Sequence, residues 1–405
     1  MNKRRVVITG LGVVSSIGIG KDEFWKNLIA GKSGISEVTT FDTSKYDNHR
    51  GGEVKDFDPL KFITRKFIKE MGRVSQFAVS ASKMALEDAR LTIPKVKKGR
   101  IGVIMGTTMA GIQSLEEVNR HWMEKGEDDV WATTVIKYPG NVLSDSVGHY
   151  FGMNGPTYVI PTACAAGNYS IGYSYDLIRT GKVDVMLAGG TDPFSRITFT
   201  GFSRLFAMAR DKCQPFDKNR KGMMIGEGAG VLALEDLEHA LERKVPIYAE
   251  VLGYGLSCDA SHMTAPTEEG IAFMMKRAMK NSGIDKKEVD YICAHGTGTP
   301  SNDKTECKAA KTIFGDYASK IPMSSIKSML GHTMGAASAI EAISTILTIK
   351  DGVIPPTINH EEEDPECVGV NCVPNRAIRK EVKVALNNSL AFGGNNACVA
   401  FKRYE

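Results

Sequence analysis

Short β-branched and apolar runs alternate along the chain with longer segments in which apolar positions recur at helical spacing. The short runs predict strands over Arg5–Thr9, Ile101–Met105, Tyr158–Ile160, Val183–Ala188, Val231–Glu235, Tyr248–Leu252, Tyr291–Ala294 and Lys383–Leu386. The longer segments predict helices over Phe24–Ala30, Val74–Ala89, Ala165–Arg179, Leu237–Glu242, Gly270–Ser282, Asp303–Phe314 and Ala336–Ile349. Strands separated by helices specify an α/β protein with buried sheets. No Pro-, Ser- or charge-rich linker divides the chain, and the acidic run Glu361–Asp364 reads as a solvated loop.

An internal echo runs through these elements. RIGVIMGTT, from Arg100, is similar to DYICAHGTGT, from Asp290: each is a strand opening into Gly and Thr. VIPTACAAG, from Val159, and MSSIKSMLGHTMGAA, from Met323, both pass from an extended segment through a polar turn into a small-residue helix start. Two similar halves meeting near residue 245, spanning 1–245 and 246–405, account for both echoes.

Composition narrows the class. A chain of 405 residues exceeds what one compact unit usually needs. At 42% hydrophobic and 24% charged it has the balance of a soluble globular protein. A formal charge of +4 is too even to mark a nucleic-acid binder, although a local basic patch for an acidic partner fits. No apolar run approaches the roughly 18 residues needed to span a bilayer. The N-terminal MNKRRVVITGLGVVSSIGIG starts basic and turns apolar, but its glycines and serines suit a buried first strand better than a leader. The eight cysteines form no CxxC pair, as expected of reduced thiols in a cytoplasm. Cys367 and Cys372 lack a matching second pair, which argues against zinc.

The sharpest local feature is PTACAAGNYS, where an extended run reaches a small-residue turn at Cys164 and a helix follows. A thiol at a helix N-terminus meets free N–H groups and the positive end of the dipole, which favour thiolate. Without context, a cysteine is more often a small buried hydrophobe. Two histidine loops supply context: AHGTGTPSND sets His295 after a strand, and KSMLGHTMGAA sets His332 in a Gly-bounded turn before a helix. Histidine carries or donates protons near neutral pH, and glycine flanks leave room for a ligand. His49, His121, His149, His239, His262 and His360 lack such a setting and read as structural.

These residues carry a family resemblance. TACAAG around Cys164, GEGAG at Gly226, AHGTGTP at Ala294, SSIKSMLGHTMGA from Ser324, PPTIN at Pro355 and AFGGNN at Ala391 occur in one order over nearly the whole length. Together they resemble an elongating β-ketoacyl-acyl-carrier-protein synthase of the synthase II type, in the thiolase-fold superfamily. The resemblance implies two βαβαβαββ halves in a five-layered α-β-α-β-α sandwich, and a dimer meeting at a sheet edge. It implies a Cys164–His295–His332 catalytic set, distinct from the second cysteine of thiolases and the Cys-His-Asn of chain-initiating synthases.

The same resemblance assigns supporting roles. Lys327 would be a buried electrostatic residue partnered by Asp303, Glu306 and Glu341; an unpaired Glu341 inside the apolar ASAIEAISTIL would be costly. Cys164 and Phe392 would supply oxyanion-hole N–H groups, with Phe392 also the gate. Thr297 and Thr299 would hold the pantetheine arm, and Met109 and Phe202 would line the acyl pocket. Arg65, Lys66 and Lys69 form a basic cluster where the family docks its acidic acyl-carrier protein. No metal or redox cofactor is implied.

Two departures bear on substrate. TACAAG stands where housekeeping synthases more often have TACTSG, and LAFGGNN where GFGGTN is usual. They adjoin the acyl chain and keep a type II polyketide or polyene ketosynthase, paired with a chain-length factor, beside the fatty-acid reading. A non-catalytic chain-length factor would lack the cysteine. A cysteine hydrolase would leave the Lys327 group unexplained.

Overall fold

The computed structural model describes residues 4–93 and 96–405. Its main sheet contains β1 (Val6–Ser15), β2 (Ile101–Gly106), β3 (Thr157–Ile160), β4 (Val185–Asp192), β5 (Gly228–Asp236), β6 (Ala249–Cys258), β7 (Tyr291–Cys293), β8 (Pro322–Ser324), β9 (Asn371–Cys372), β10 (Val384–Leu390) and β11 (Asn395–Lys402). Their order across the sheet is β9-β8-β7-β10-β11-β6-β1-β5-β4-β2-β3. The run β3-β2-β4-β5-β1 reads third, second, fourth, fifth, first in chain order. Setting β9 aside, β8-β7-β10-β11-β6 reads the same way.

Strand directions repeat too. In each run the first three strands are parallel and the last two are joined antiparallel. The echoing sequence segments fall on equivalent strands, β2 with β7 and β3 with β8. The runs join where β1 pairs antiparallel with β6, Val6 opposite Val251.

Helices complete the layers. Ala166–Arg179 (α2) and Ala337–Asp351 (α5) pack together and against both runs of strands. Every residue from Ala337 to Ile349 is buried, as expected of a helix apolar on all sides. Arg73–Asp88 (α1) covers β1 and β5 from outside, while Glu268–Ser282 (α3) and Pro300–Phe314 (α4) cover the other run. The result is the α-β-α-β-α thiolase-like arrangement. Glycine permits the close approach of α2 and α5: a Cβ on Gly167 would meet the Ala339 backbone nitrogen at 2.6 Å.

Several elements escaped the pattern. Strand β8 begins with proline and has three residues, and β11 opens on two asparagines; neither looks like a strand by composition. The helix Ile112–Lys125 was missed although Ile112, Leu115, Val118 and Trp122 recur on one face; it buries only Ser114 fully. Among the described residues no helix is long and apolar enough to cross a membrane.

Candidate active site

The nucleophile turn follows β3. Ala163 adopts φ +48°, a left-handed conformation costly for a non-glycine residue, and Cys164 sits on the single turn Ala163–Ala165 that leads into α2. Ser389 Oγ, on β10, donates to the Cys164 carbonyl at 2.8 Å and fixes the turn from the opposite run of strands. The backbone N–H groups of Cys164 and Phe392 face the sulfur. The expected bias toward thiolate does not hold in this closed site: burial pushes the thiol up to about 12, against the opposing pull of the Lys327 charge and the two N–H groups.

The two histidines are buried and their rings lie edge to face, with centroids 5.4 Å apart. Lys327 Nζ donates to the His295 carbonyl at 2.7 Å and faces His295 Nδ1 at 3.3 Å. An ammonium only donates, so Nδ1 accepts and the ring proton resides on Nε2. His332 Nδ1 accepts the Met334 N–H at 3.1 Å, which again leaves the proton on Nε2. His332 Nε2 is buried without a partner among the described residues. Burial first, then the Lys327 charge, holds both imidazoles well below their ordinary 6.5. Both are therefore neutral donors at pH 7.

The structure divides the three expected partners of Lys327. Glu341 alone pairs with it directly, both side chains being almost fully buried. Glu306 instead accepts the N–H groups of His295 and Gly296, each at 2.9 Å, and so fixes the histidine loop. Burial pushes its carboxyl up to about 7. Asp303 accepts the N–H groups of Phe216 at 2.8 Å and Gly298 at 3.2 Å, and its cationic neighbour is Arg220 at 3.9 Å rather than Lys327.

Cys164, His295, His332, Thr297, Thr299, Phe202 and Phe392 line one cavity of about 50 Å³. The threonine hydroxyls lie 2.9 Å apart, and the Phe202 and Phe392 rings pack at 5.5 Å. Met109 is not part of this lining; its N–H is bound to Asp192 at 3.0 Å. Arg65, Lys66 and Lys69 lie exposed on and beside the short helix Arg65–Ile68, outside the cavity and without an ion pair among the described residues.

The sequence reading missed the loop after β6. His262, read as structural, and Met263 line the cavity mouth, and the Gly393 N–H donates to the Met263 carbonyl at 2.8 Å. No glycine flanks His262, so the signal that singled out the other two loops was absent. Ser389 gave no signal at all. Asp192 gave one, as an acid closing the apolar run VMLAGGTD.

Comparison with known proteins agrees with this geometry. The family described as beta-ketoacyl synthase, N-terminal domain, matches residues 3–240, and its C-terminal domain matches residues 248–361. A 3-oxoacyl-[acyl-carrier-protein] synthase 2 of Synechocystis sp. is 41% identical, covering 100% of this chain and 99% of the relative. The solved ishigamide ketosynthase/chain length factor superposes with a TM-score of 0.97 at 44% identity, covering 100% of both chains. A type II polyketide acyl-carrier protein in complex with its hexaketide-bound ketosynthase superposes at 0.92 with 32% identity, covering 99% of this chain and 100% of that one. This chain belongs to the β-ketoacyl synthase family.

Proposed function

We propose that the chain lengthens acyl groups by two carbons in fatty-acid elongation, through decarboxylative Claisen condensation with malonyl-acyl-carrier protein. One observation carries this reading: a thiol and two neutral imidazoles, each protonated on Nε2, line the same cavity. In the first step Cys164 attacks a carrier thioester, the acyl carbon forms a bond to sulfur, and the carrier thiol leaves. The N–H groups of Cys164 and Phe392 stabilise the tetrahedral oxyanion, where one donor is worth about 100- to 1000-fold in rate.

In the second step malonyl-carrier loses CO2, and its electron pair delocalises onto the thioester oxygen. Two Nε2–H donors suit that enolate, because neutral imidazoles stabilise the charge without quenching it by proton transfer. In the third step the carbanion attacks the acyl carbon and expels the Cys164 thiolate, which takes up one proton. The products are a β-ketoacyl-carrier and CO2. The balance requires neither metal nor redox cofactor, and we assign none.

Lys327, Glu341, Glu306 and Asp303 support this reading as scaffold: they fix the His295 loop and the tautomer of its ring. A cavity of about 50 Å³ is far below the roughly 300 Å³ of a typical ligand site. The turn Phe392–Gly394 must therefore swing aside, with Gly393 at φ +82° as the pivot, to admit pantetheine along Thr297 and Thr299. Phe202 and Met109 would border the acyl chain. We assign the acidic carrier to the Arg65, Lys66 and Lys69 cluster, a cytoplasmic location to the chain, and the nucleophile and the histidines to halves 1–245 and 246–405.

A second reading is catalysis in a type II polyketide or polyene synthase. The 44% identity to the ishigamide ketosynthase/chain length factor, against 41% to the 3-oxoacyl-[acyl-carrier-protein] synthase 2 of Synechocystis sp., favours it. In either reading the exposed edge strand β3, with Tyr158 beside Tyr173 above an apolar groove, is where a second copy or a chain-length factor would seat. Intact-mass analysis separates the readings. The purified chain receives malonyl-carrier with saturated or polyenoyl acyl-carriers, beside a Cys164→Ala control. Two-carbon extension of saturated chains supports fatty-acid elongation, and extension of polyenoyl chains alone supports the second reading. Free acid in place of extended product would refute both.

A further inference from the structure

The acidic run Glu361–Asp364 reads in the sequence as a solvated loop, and the structure gives it other work. Glu361 and Glu362 pair with Lys212 and Lys218 at the surface, but Asp364 is buried against the equally buried Arg220. The N–H groups of Glu361 and Glu362 donate to the buried Asp217 carboxylate at 2.5 and 2.7 Å, and the Lys218 N–H donates to the Glu362 carbonyl at 3.0 Å. The run is thereby fastened along the segment 212–222.

That segment in turn holds the turn after β7 that carries Thr297 and Thr299. Four successive carbonyls of the turn accept hydrogen bonds from it. Thr297 accepts from the Cys213 thiol at 3.2 Å and Gly298 from the Gly222 N–H at 2.9 Å. Thr299 accepts from Arg220 Nε at 3.3 Å and Pro300 from Arg220 Nη2 at 3.1 Å. The remaining arm of the guanidinium, Nη1, donates to the Asp217 carbonyl at 2.8 Å and to Asp364. There is no slack at this contact: a Cβ on Gly298 would stand 2.9 Å from the Gly222 carbonyl oxygen and 3.1 Å from Cys213 Sγ. With its carbonyls turned toward the segment, the turn presents Thr297, Thr299, Ser301 and Asn302 to the catalytic cavity, which Arg220 itself does not line.

We propose that Arg220, locked in place by Asp364, is a positioning residue that sets the Thr297–Thr299 turn for the amides of a pantetheine arm. The proposal rests on the reading that this cavity takes carrier-bound thioesters. A planar guanidinium can bond two consecutive carbonyls and a carboxylate at once, whereas a lysine ammonium is a single point of contact. The acidic run thus governs how firmly the arm is gripped without touching it.

The test measures CO2 release by the full chain from malonyl-pantetheine and from the S-ethyl malonyl thioester, which keeps the reacting group and lacks the amides of the arm. The ratio of kcat/KM for the two thioesters does not depend on the fraction of folded enzyme, so a merely structural role leaves it unmoved. Arg220→Lys keeps the charge and gives up the fork that spans Thr299 and Pro300. It lowers the ratio about tenfold, through the KM of malonyl-pantetheine with kcat within about twofold, the effect of losing one or two hydrogen bonds. Asp364→Asn keeps the shape, weakens the lock and lowers the ratio about threefold. An unchanged ratio in an Arg220→Lys chain that melts cooperatively, or in Asp364→Asn should the first variant fail to fold, overturns the role of Arg220 alone. A wild-type chain that releases no CO2 from any malonyl thioester, the carrier-bound one included, overturns the ketosynthase reading and this role with it.

Discussion

The turn that carries Cys164 and the turn that follows His332 are built alike and furnished differently. Each follows the third strand of its run, and each contains a non-glycine residue near φ +50°, Ala163 or Met334. Each then enters a central-layer helix through small residues. Around the first, the Lys327 charge and backbone N–H donors act against burial at the sulfur, and the Asp192 carboxylate raises the thiol rather than activating it. Around the second stands the buried Lys327–Glu341 pair, with Glu306 on the loop beside it. One scaffold therefore separates two tasks. The first turn holds a nucleophile in a dry pocket, and the second holds imidazoles neutral and oriented.

Substitutions break this comparison to different degrees. Cys164→Ala has the largest effect, reducing elongation by more than about 10⁴-fold in a carrier-product assay, with little change in melting temperature. Next is Lys327→Met, which leaves Glu341 buried without its partner. It costs about 3 kcal/mol of stability in denaturant unfolding, and adding Glu341→Leu restores stability without restoring turnover. Nothing at the Cys164 turn leaves a comparable orphan.

Acid sensitivity sharpens the contrast. Below their ordinary 6.5 the histidines of the unfolded chain bind protons that buried His295 and His332 refuse, so the unfolded state holds more protons and stability falls as pH drops below that value. The acid limb of decarboxylation lies below 6.5 for the same reason, and Lys327→Met moves it upward by removing one cause of the depression. At the other turn, Cys164 labelling by iodoacetamide should climb about tenfold per pH unit through pH 10 without a plateau, because the thiol lies at about 12. The smallest effect is that of Thr297→Val, a loss of about fivefold in kcat/KM for malonyl-carrier with stability nearly unchanged.

How much was legible in the sequence follows from the same contrast. Strands and helices with strong apolar periods, such as Ile101–Gly106 and Ala166–Arg179, stood out, as did reactive residues set among glycines and alanines. The duplication was visible as an echo because β2 with β7, and β3 with β8, do equivalent work. Pairings between distant segments were not legible. Lys327, Asp303, Glu306 and Glu341 were grouped together, yet Asp303 faces Arg220 and Glu306 takes backbone N–H groups. Burial overruled the local expectation at Cys164: the cost of desolvating a thiolate outweighs the pull of the Lys327 charge and the backbone N–H groups. Ser389 could not be anticipated, because a serine on a strand says nothing of the carbonyl it will meet 225 residues away.

The division of labour is tested most directly by measuring CO2 release from malonyl-carrier in two single variants, Cys164→Ala and His332→Ala. Cys164→Ala keeps both imidazoles and should still release CO2 while forming no extended product. His332→Ala keeps the thiol and should accept an acyl group on Cys164 but release CO2 at least about 100-fold more slowly. If Cys164→Ala released no CO2, or His332→Ala released it at the native rate, the assignment of the two tasks to the two turns would be contradicted.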